Sequence, residues 1–250
     1  PYTLDRLARG EIGQVVASPD GVGVAWFALD ASLQVWTRGV RASVPMAANE
    51  FRLLGWISGD ELACAVSEGG RTEVVAVRVP GGECRTLFGG ESASRFAPGS
   101  GGAAGVLPSA RLLARVSEAT PAGEVEFYSM DGARAGAAPA TGKIPSVFFG
   151  ADYVCLARET ASQEWDIEAF RPGATTPEDC GFLMSGVVGE SFACLPETGA
   201  WVLLVTSTEL AGVRMALVST KLKAMLPVFD GDGFVPLAWP AMDVAYLRGE

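Results

Sequence analysis

The chain contains no histidine among its 250 residues. That absence removes the Ser-His-Asp and Cys-His nucleophile pairs, the imidazole metal ligand and the usual proton shuttle of neutral-pH catalysis. An active site built wholly from these residues would have to use carboxylate or lysine chemistry. Cysteine is sparse too. Cys64, Cys84, Cys155, Cys180 and Cys194 are odd in number, widely spaced and without any C-x-x-C pair. Such a pattern fits reduced, mostly buried thiols in a cytoplasmic protein better than a disulfide framework, and it offers no zinc site.

Charge is also scarce, at 19% of residues, and its balance is negative, with a net charge of −10. Nucleic-acid binding needs clustered Lys and Arg and is not expected. An acidic surface keeps the protein soluble and favours basic protein partners. No apolar run approaches the length of a membrane span, and no basic stretch followed by an apolar one marks a signal peptide. Pro1 stands where a Met would open a gene product, so we expect a piece of a larger protein.

Abundant residues tell the other half. There are 31 Gly and 15 Pro, and 49% of residues are hydrophobic. This mixture belongs to a β-rich chain with many tight turns. A repeat of roughly 40 to 50 residues emerges when the turns are aligned. The first unit has the turn Ser18-Pro19-Asp20-Gly21, the run 22–28, a turn at Asp30-Ala31 and the run 32–37, with no clear outer strand. The second runs through 56–60, 61–67, 72–79 and 84–88, outlining an antiparallel meander. In the third, 111–116 and 124–130 form a strand pair, preceded by a Gly/Ala/Ser-rich loop over 89–109 with a weak strand at 103–107. Runs at 147–149, 153–158 and 165–170 give the fourth unit, and 191–195, 201–206 and 213–219 the fifth. Segments 235–239 and 243–247 begin a sixth. Residues 209–222 contain good helix formers, yet the repeat requires a strand there, and a strand is what we expect. Runs apolar on both faces, such as Trp201 to Val205, suit strands sandwiched between neighbouring sheets. The expected fold is an all-β propeller of four-stranded antiparallel blades, five full units plus a partial sixth, forming one domain over 1–250. The segment 2–9 would pair with the last sheet.

In the first unit, Ser18-Pro19-Asp20-Gly21, Asp30 and Leu33-Gln34-Val35-Trp36 reproduce the spacing of a WD40 repeat. The resemblance is close over 15–37 and loose elsewhere. No Gly-His pair occurs, so the His-Asp arrangement of that family cannot form. The Ser-Pro-Asp-Gly turn is similar to turns of periplasmic TolB-like propellers and of prolyl-oligopeptidase-type propellers as well. The resemblance implies a scaffold and leaves activity open.

Other motifs carry little chemistry. Asp230-Gly231-Asp232-Gly233 has the look of a calcium loop, but the twelfth position, 241, is Ala. Gly99-Ser100-Gly101-Gly102 is followed by neither Lys-Ser/Thr nor a helix pattern, so it reads as a connection. Gly-x-Ser-x-Gly is absent. The six Trp fall mostly in apolar runs and are expected in the core. Segments entering each inner strand converge on one rim of a propeller. Their Arg and aromatic residues make Phe51, Arg52, Arg95, Phe96, Phe192 and Phe234 the candidate partner-binding residues. No catalytic residue, metal ligand or cofactor is expected. The function expected is a non-catalytic, cytoplasmic protein-interaction scaffold within a larger protein. The alternative is the substrate-gating propeller of a peptidase whose catalytic domain lies elsewhere in the gene.

Overall fold

The structure is a computed structural model. It describes residues 15–27, 32–46, 50–117, 122–141, 143–159, 165–183, 189–194, 201–208, 212–219, 224–231, 234–236 and 246–248. The chain divides into two compact units, Pro1–Pro98 and Gly99–Glu250.

In the first unit, β1 (Val15–Ala17), β2 (Gly23–Phe27), β3 (Ser32–Thr37) and β4 (Val40–Pro45) form one sheet in chain order. Strands β5 (Glu50–Ser58), β6 (Glu61–Glu68), β7 (Arg71–Arg78) and β8 (Cys84–Gly89) form a second, followed by one helical turn, α1 (Glu91–Ser94). The first strands β1 and β5 are neighbours. Local chemistry explains the hairpins. Arg38-Gly39 and Gly69-Gly70 are two-residue loops with positive φ at both positions, the type I′ geometry that matches strand twist.

Period-two alternation then sends one face of each sheet into a shared core. Ala25, Phe27, Leu33, Val35 and Val44 meet Leu53, Trp56, Leu62, Cys64, Val75 and Val77. Each fully buried Leu there contributes about 1.5–3 kcal/mol. The Trp56 indole N–H donates to the Val16 carbonyl at 3.2 Å, tying the second sheet's inner strand to that of the first.

The second unit holds β9 (Ala103–Leu107), β10 (Leu112–Val116), β11 (Ala122–Ser129) and β12 (Arg134–Thr141) in one sheet. Strands β13 (Lys143–Phe149), β14 (Val154–Glu159), β15 (Trp165–Phe170) and β16 (Glu178–Leu183) make the next. Strands β17 (Gly189–Cys194), β18 (Trp201–Thr208), β19 (Gly212–Ser219) and β20 (Ala224–Gly231) follow, then the pair β21 (Phe234–Pro236) and β22 (Tyr246–Arg248). All pairings are antiparallel, and the first strands β9, β13, β17 and β21 are successive neighbours. Ala114, Val116, Val125, Phe127 and Ala138 pack against Val154, Leu156 and Phe170.

Sheets of four strands in meander order, with first strands adjacent, are propeller blades. Five four-stranded blades and one two-stranded sheet lie among the described residues. The first unit does have an outer strand, β4, contrary to expectation. Its sequence VRASVP buries only Val44, so the apolar signal is faint. Outer strands β12, β16 and β20 also go beyond the expected runs, for a related reason: RAGAAPAT in β12 carries Gly136 and Pro139, which an edge tolerates. The 89–109 stretch contains a helical turn as well as β9. Residues 212–219 form a strand despite their helix formers. Segment 2–9 and Asp30 lie outside the described residues. Among the described residues no helix is long and apolar enough to cross a membrane.

Candidate interaction surface

Blade register places two of the four proposed entry segments together. Glu50 faces Ser67, Ser67 faces Thr72, and Glu73 faces Gly89, so the start of β5 and the exit of β8 share one end of the second blade. Arg52 sits half-buried in β5, and Arg95 is exposed directly after α1. Glu50, Glu68, Arg71, Glu73 and Glu91 are exposed at the same end. Several of the polar groups there are engaged locally. The Thr86 hydroxyl donates to Glu73 at 3.1 Å, Ser67 and Thr72 share a bond of 2.9 Å, and the Ser94 hydroxyl caps the Glu91 carbonyl at 2.6 Å.

The aromatic residues of these segments behave differently from the arginines. Phe51 stacks on Phe27 with ring centroids 3.8 Å apart, at the margin of the blade core. Phe96 is completely buried and meets Phe88 edge-on at 6.0 Å. Phe96 is therefore interior and presents nothing to a partner. In the second unit, Phe192 lies in β17 and Phe234 opens β21, and their side chains lie outside the described residues.

At the other end of the first two blades, the turns are held by their own side chains. The Ser18 hydroxyl donates to Asp20 at 2.5 Å and accepts the Gly23 N–H at 2.7 Å, while Asp20 also receives the Val22 N–H at 3.3 Å. Ser58 and Asp60 repeat the first of these bonds at 2.7 Å. A Cβ at Gly59 would stand 2.8 Å from the Asp20 carboxylate of the neighbouring blade, so the two turns lie close together. Ser129 and Asp131 form the same pair between β11 and β12. Hydrogen bonds from the Ser129 hydroxyl and the Ala133 N–H hold the Asp131 carboxyl below its ordinary pKa. The Ser-x-Asp-Gly pattern at 129–132 matches that at 18–21, a local signal that the repeat alignment missed.

A second arrangement is equally hidden. Arg115 of β10 faces Glu126 of β11, paired at 3.1 Å with side chains only 14% and 4% exposed. Arg134 reaches the same carboxylate at 3.3 Å and Glu124 at 2.7 Å. Arg115 Nε is buried without a partner. Strand alternation hints at an inward charge on each strand, but only register pairs them. On the next blade Arg171 binds Asp152 at 2.6 Å and lies over the Tyr153 ring at 5.2 Å.

Cys64, Cys84 and Cys155 are free thiols. Burial, with a smaller push from Cys84, drives Cys64 up to about 12, and burial raises Cys84 as well. No three His, Cys, Asp or Glu side chains gather to hold a metal among the described residues. Asp230 and Gly231 finish β20, opposite Arg214 and Val213; Asp232 and Gly233 lie outside the described residues.

No family model and no curated protein matches the sequence. Solved structures do match. The chain is similar to TolB from Acinetobacter baumannii at a TM-score of 0.59 and 14% identity, over 89% of this chain and 55% of that one. It is similar to a prolyl endopeptidase at 0.53 and 14%, over 91% and 36%. Oligogalacturonate lyase aligns at 0.61 and 10%, over 87% and 64%. The chain is a divergent β-propeller. It spans about half the length of the Acinetobacter protein. At such identities the likeness concerns the fold, which these proteins put to different ends.

Proposed function

We propose that the protein is a non-catalytic, cytoplasmic propeller that binds protein partners, basic ones among them, as a scaffold within a larger protein. The observation that carries this reading is the rim of the second blade. There Arg52 and Arg95 stand at the same sheet end as the exposed carboxylates of Glu50, Glu68, Glu73 and Glu91, a mixed polar surface of the kind partners use. The lack of histidine across the whole sequence and the commitment of Ser18, Ser58 and Ser129 to turn bonds support it. Reduced, buried Cys64 and Cys155 favour the cytoplasmic location.

The test is capture of interacting proteins on the immobilised chain, compared with Arg52→Ala/Arg95→Ala and with Phe234→Ala. Loss of the same captured proteins in the variants, at unchanged circular dichroism, is the expected result. Capture that survives all three changes refutes the rim. A second reading, the gating propeller of a peptidase, draws on the likeness to a prolyl endopeptidase of which this chain covers only 36%. A Gly-x-Ser-x-Gly motif with later Asp and His in the same gene, outside residues 1–250, would establish it instead.

A further inference from the structure

The outermost strand of a sheet exposes unpaired N–H and C=O groups, and proteins blunt such edges with bulges, prolines or covers. Four of the five outer strands here carry the same device. Leu87 in β8, Ala135 in β12, Cys180 in β16 and Val228 in β20 are each an extra residue with no partner on the adjacent strand. An extra residue of this kind bulges the edge and spoils it as a template. Pro139 and Pro227 interrupt β12 and β20 further, and α1 packs beside β8.

Strand β4 has no such bulge, and its one proline, Pro45, is its last residue. Its six residues pair with β3 in unbroken register, from Thr37↔Val40 to Ser32↔Pro45, and no other described strand flanks it. The two-residue Arg38-Gly39 loop makes Thr37 and Val40 the closing hydrogen-bonded pair. Alternation then turns the N–H and C=O of Arg41 and Ser43 outward, away from β3. Pro45 falls at an outward position too, so its missing N–H costs no bond to β3.

The side chains along this edge have a definite character. Segment 32–46 contains two arginines and no acidic residue, in a chain of net charge −10. Arg38 is exposed and makes no ion pair among the described residues. Arg41 lies over the Trp26 ring at 5.7 Å and donates to the neutral Gln34 side-chain oxygen at 3.3 Å. On the other face Val40 is 54% exposed, the most of any large apolar residue described.

We infer that the free edge of β4 accepts an extended segment of a partner protein by strand addition, and that this segment alternates apolar and acidic residues. Backbone bonds to Arg41 and Ser43 supply the pairing, acidic side chains lie along the Arg41 face near Arg38, and apolar ones cover Val40. A second copy of the chain fits poorly, because antiparallel pairing of two β4 strands sets one basic edge beside another with no acidic side chain between them.

The probe is a fluorescein-labelled, end-blocked hexapeptide alternating Val and Glu, with a Val-Lys hexapeptide as control, followed by fluorescence anisotropy. Saturable binding of the Val-Glu peptide alone is expected, weakening as salt rises. Arg38→Glu/Arg41→Glu should weaken it about tenfold, by converting two exposed attractions into repulsions. Ser43→Pro removes an outward N–H and should abolish it. Arg38→Glu alone, on an exposed turn, keeps the test valid should Ser43→Pro disturb the sheet. Equal binding of both peptides, undiminished binding by the Ser43→Pro and Arg38→Glu variants, or no binding at millimolar peptide would overturn the inference. So would a dimer in sedimentation that Ser43→Pro dissolves, since the edge would then belong to a second copy.

Discussion

Gly105 offers the sharpest test of how neighbouring blades of the second unit pack. It lies in β9 opposite Ala114, and the Phe149 ring of β13 occupies the space a side chain would need. An ideal Cβ at Gly105 would stand 2.4 Å from Phe149 Cγ and 2.5 Å from Cδ2. Ordinary carbon contacts are about 3.5–4.0 Å, so Gly105→Ala forces the ring or the strand to retreat by about 1 Å. The backbone itself does not object, since Gly105 is not among the glycines with positive φ. In a compatible conformation, Gly→Ala gains about 0.4–1 kcal/mol from the unfolded state, whereas overpacking costs about 1–3 kcal/mol. The balance is a loss of about 1–2 kcal/mol, or roughly 3–6 °C in Tm for a chain of this size. Gly136 of β12 is the control: a Cβ there would meet nothing within 4 Å and its φ is not positive, so Gly136→Ala should be neutral or mildly stabilising. Thermal and urea unfolding of Gly105→Ala, Phe149→Leu and the double variant supply the cycle. In the Phe149→Leu background the alanine should cost about 1 kcal/mol less. An equal cost in both backgrounds would show that the clash with Phe149 is not what Gly105 avoids.

Glu126→Ala should destabilise by about 3–5 kcal/mol because it strands Arg115 in the interior, while Arg115→Met/Glu126→Leu should recover most of the loss in urea titrations. Ser18→Ala leaves the buried Gly23 N–H without its acceptor and should cost about 1–3 kcal/mol, whereas Ser58→Ala, at an exposed turn, should cost less than about 1 kcal/mol by the same measurement. Under Ellman's reagent at pH 8, mass mapping should find Cys84 labelled in the native protein and Cys64 only after denaturant. Burial holds the Cys64 thiol protonated up to about 12, so the nucleophilic thiolate is scarce below that pH. Equal labelling rates would mean that the second blade opens readily.

Strands enclosed on both faces are legible in the sequence. Arg71–Arg78, which buries Val74 to Val77 in succession, and Trp201–Thr208 are dense in β-branched and apolar residues, and the run expected over 201–206 falls inside the observed strand. Outer strands are silent, since VRASVP and RAGAAPAT answer to solvent on one side and need no apolar pattern. The same asymmetry governs the site residues. Phe51 and Phe96 stand beside arginines in the sequence, yet their ring partners are Phe27 and Phe88, and only the fold reveals which aromatic is spoken for. Arg115 and Glu126 pair through register across a hairpin, an arrangement that no local window displays.

The Ser18-Pro19-Asp20-Gly21 turn shows why the most legible motif is uninformative about activity. Its serine bonds both the aspartate and the Gly23 N–H, its aspartate holds the Val22 N–H, and that carboxylate abuts Gly59 of the next blade. Side chains so fully committed keep their spacing because the scaffold requires it, and they have little left to offer a ligand. Groups left over by the folding of the sheet are the ones a partner can use. On that criterion the outward backbone of Arg41 and Ser43 is a better place to look than the turn that identifies the fold, because β4 lacks the bulge that each of the other four outer strands carries.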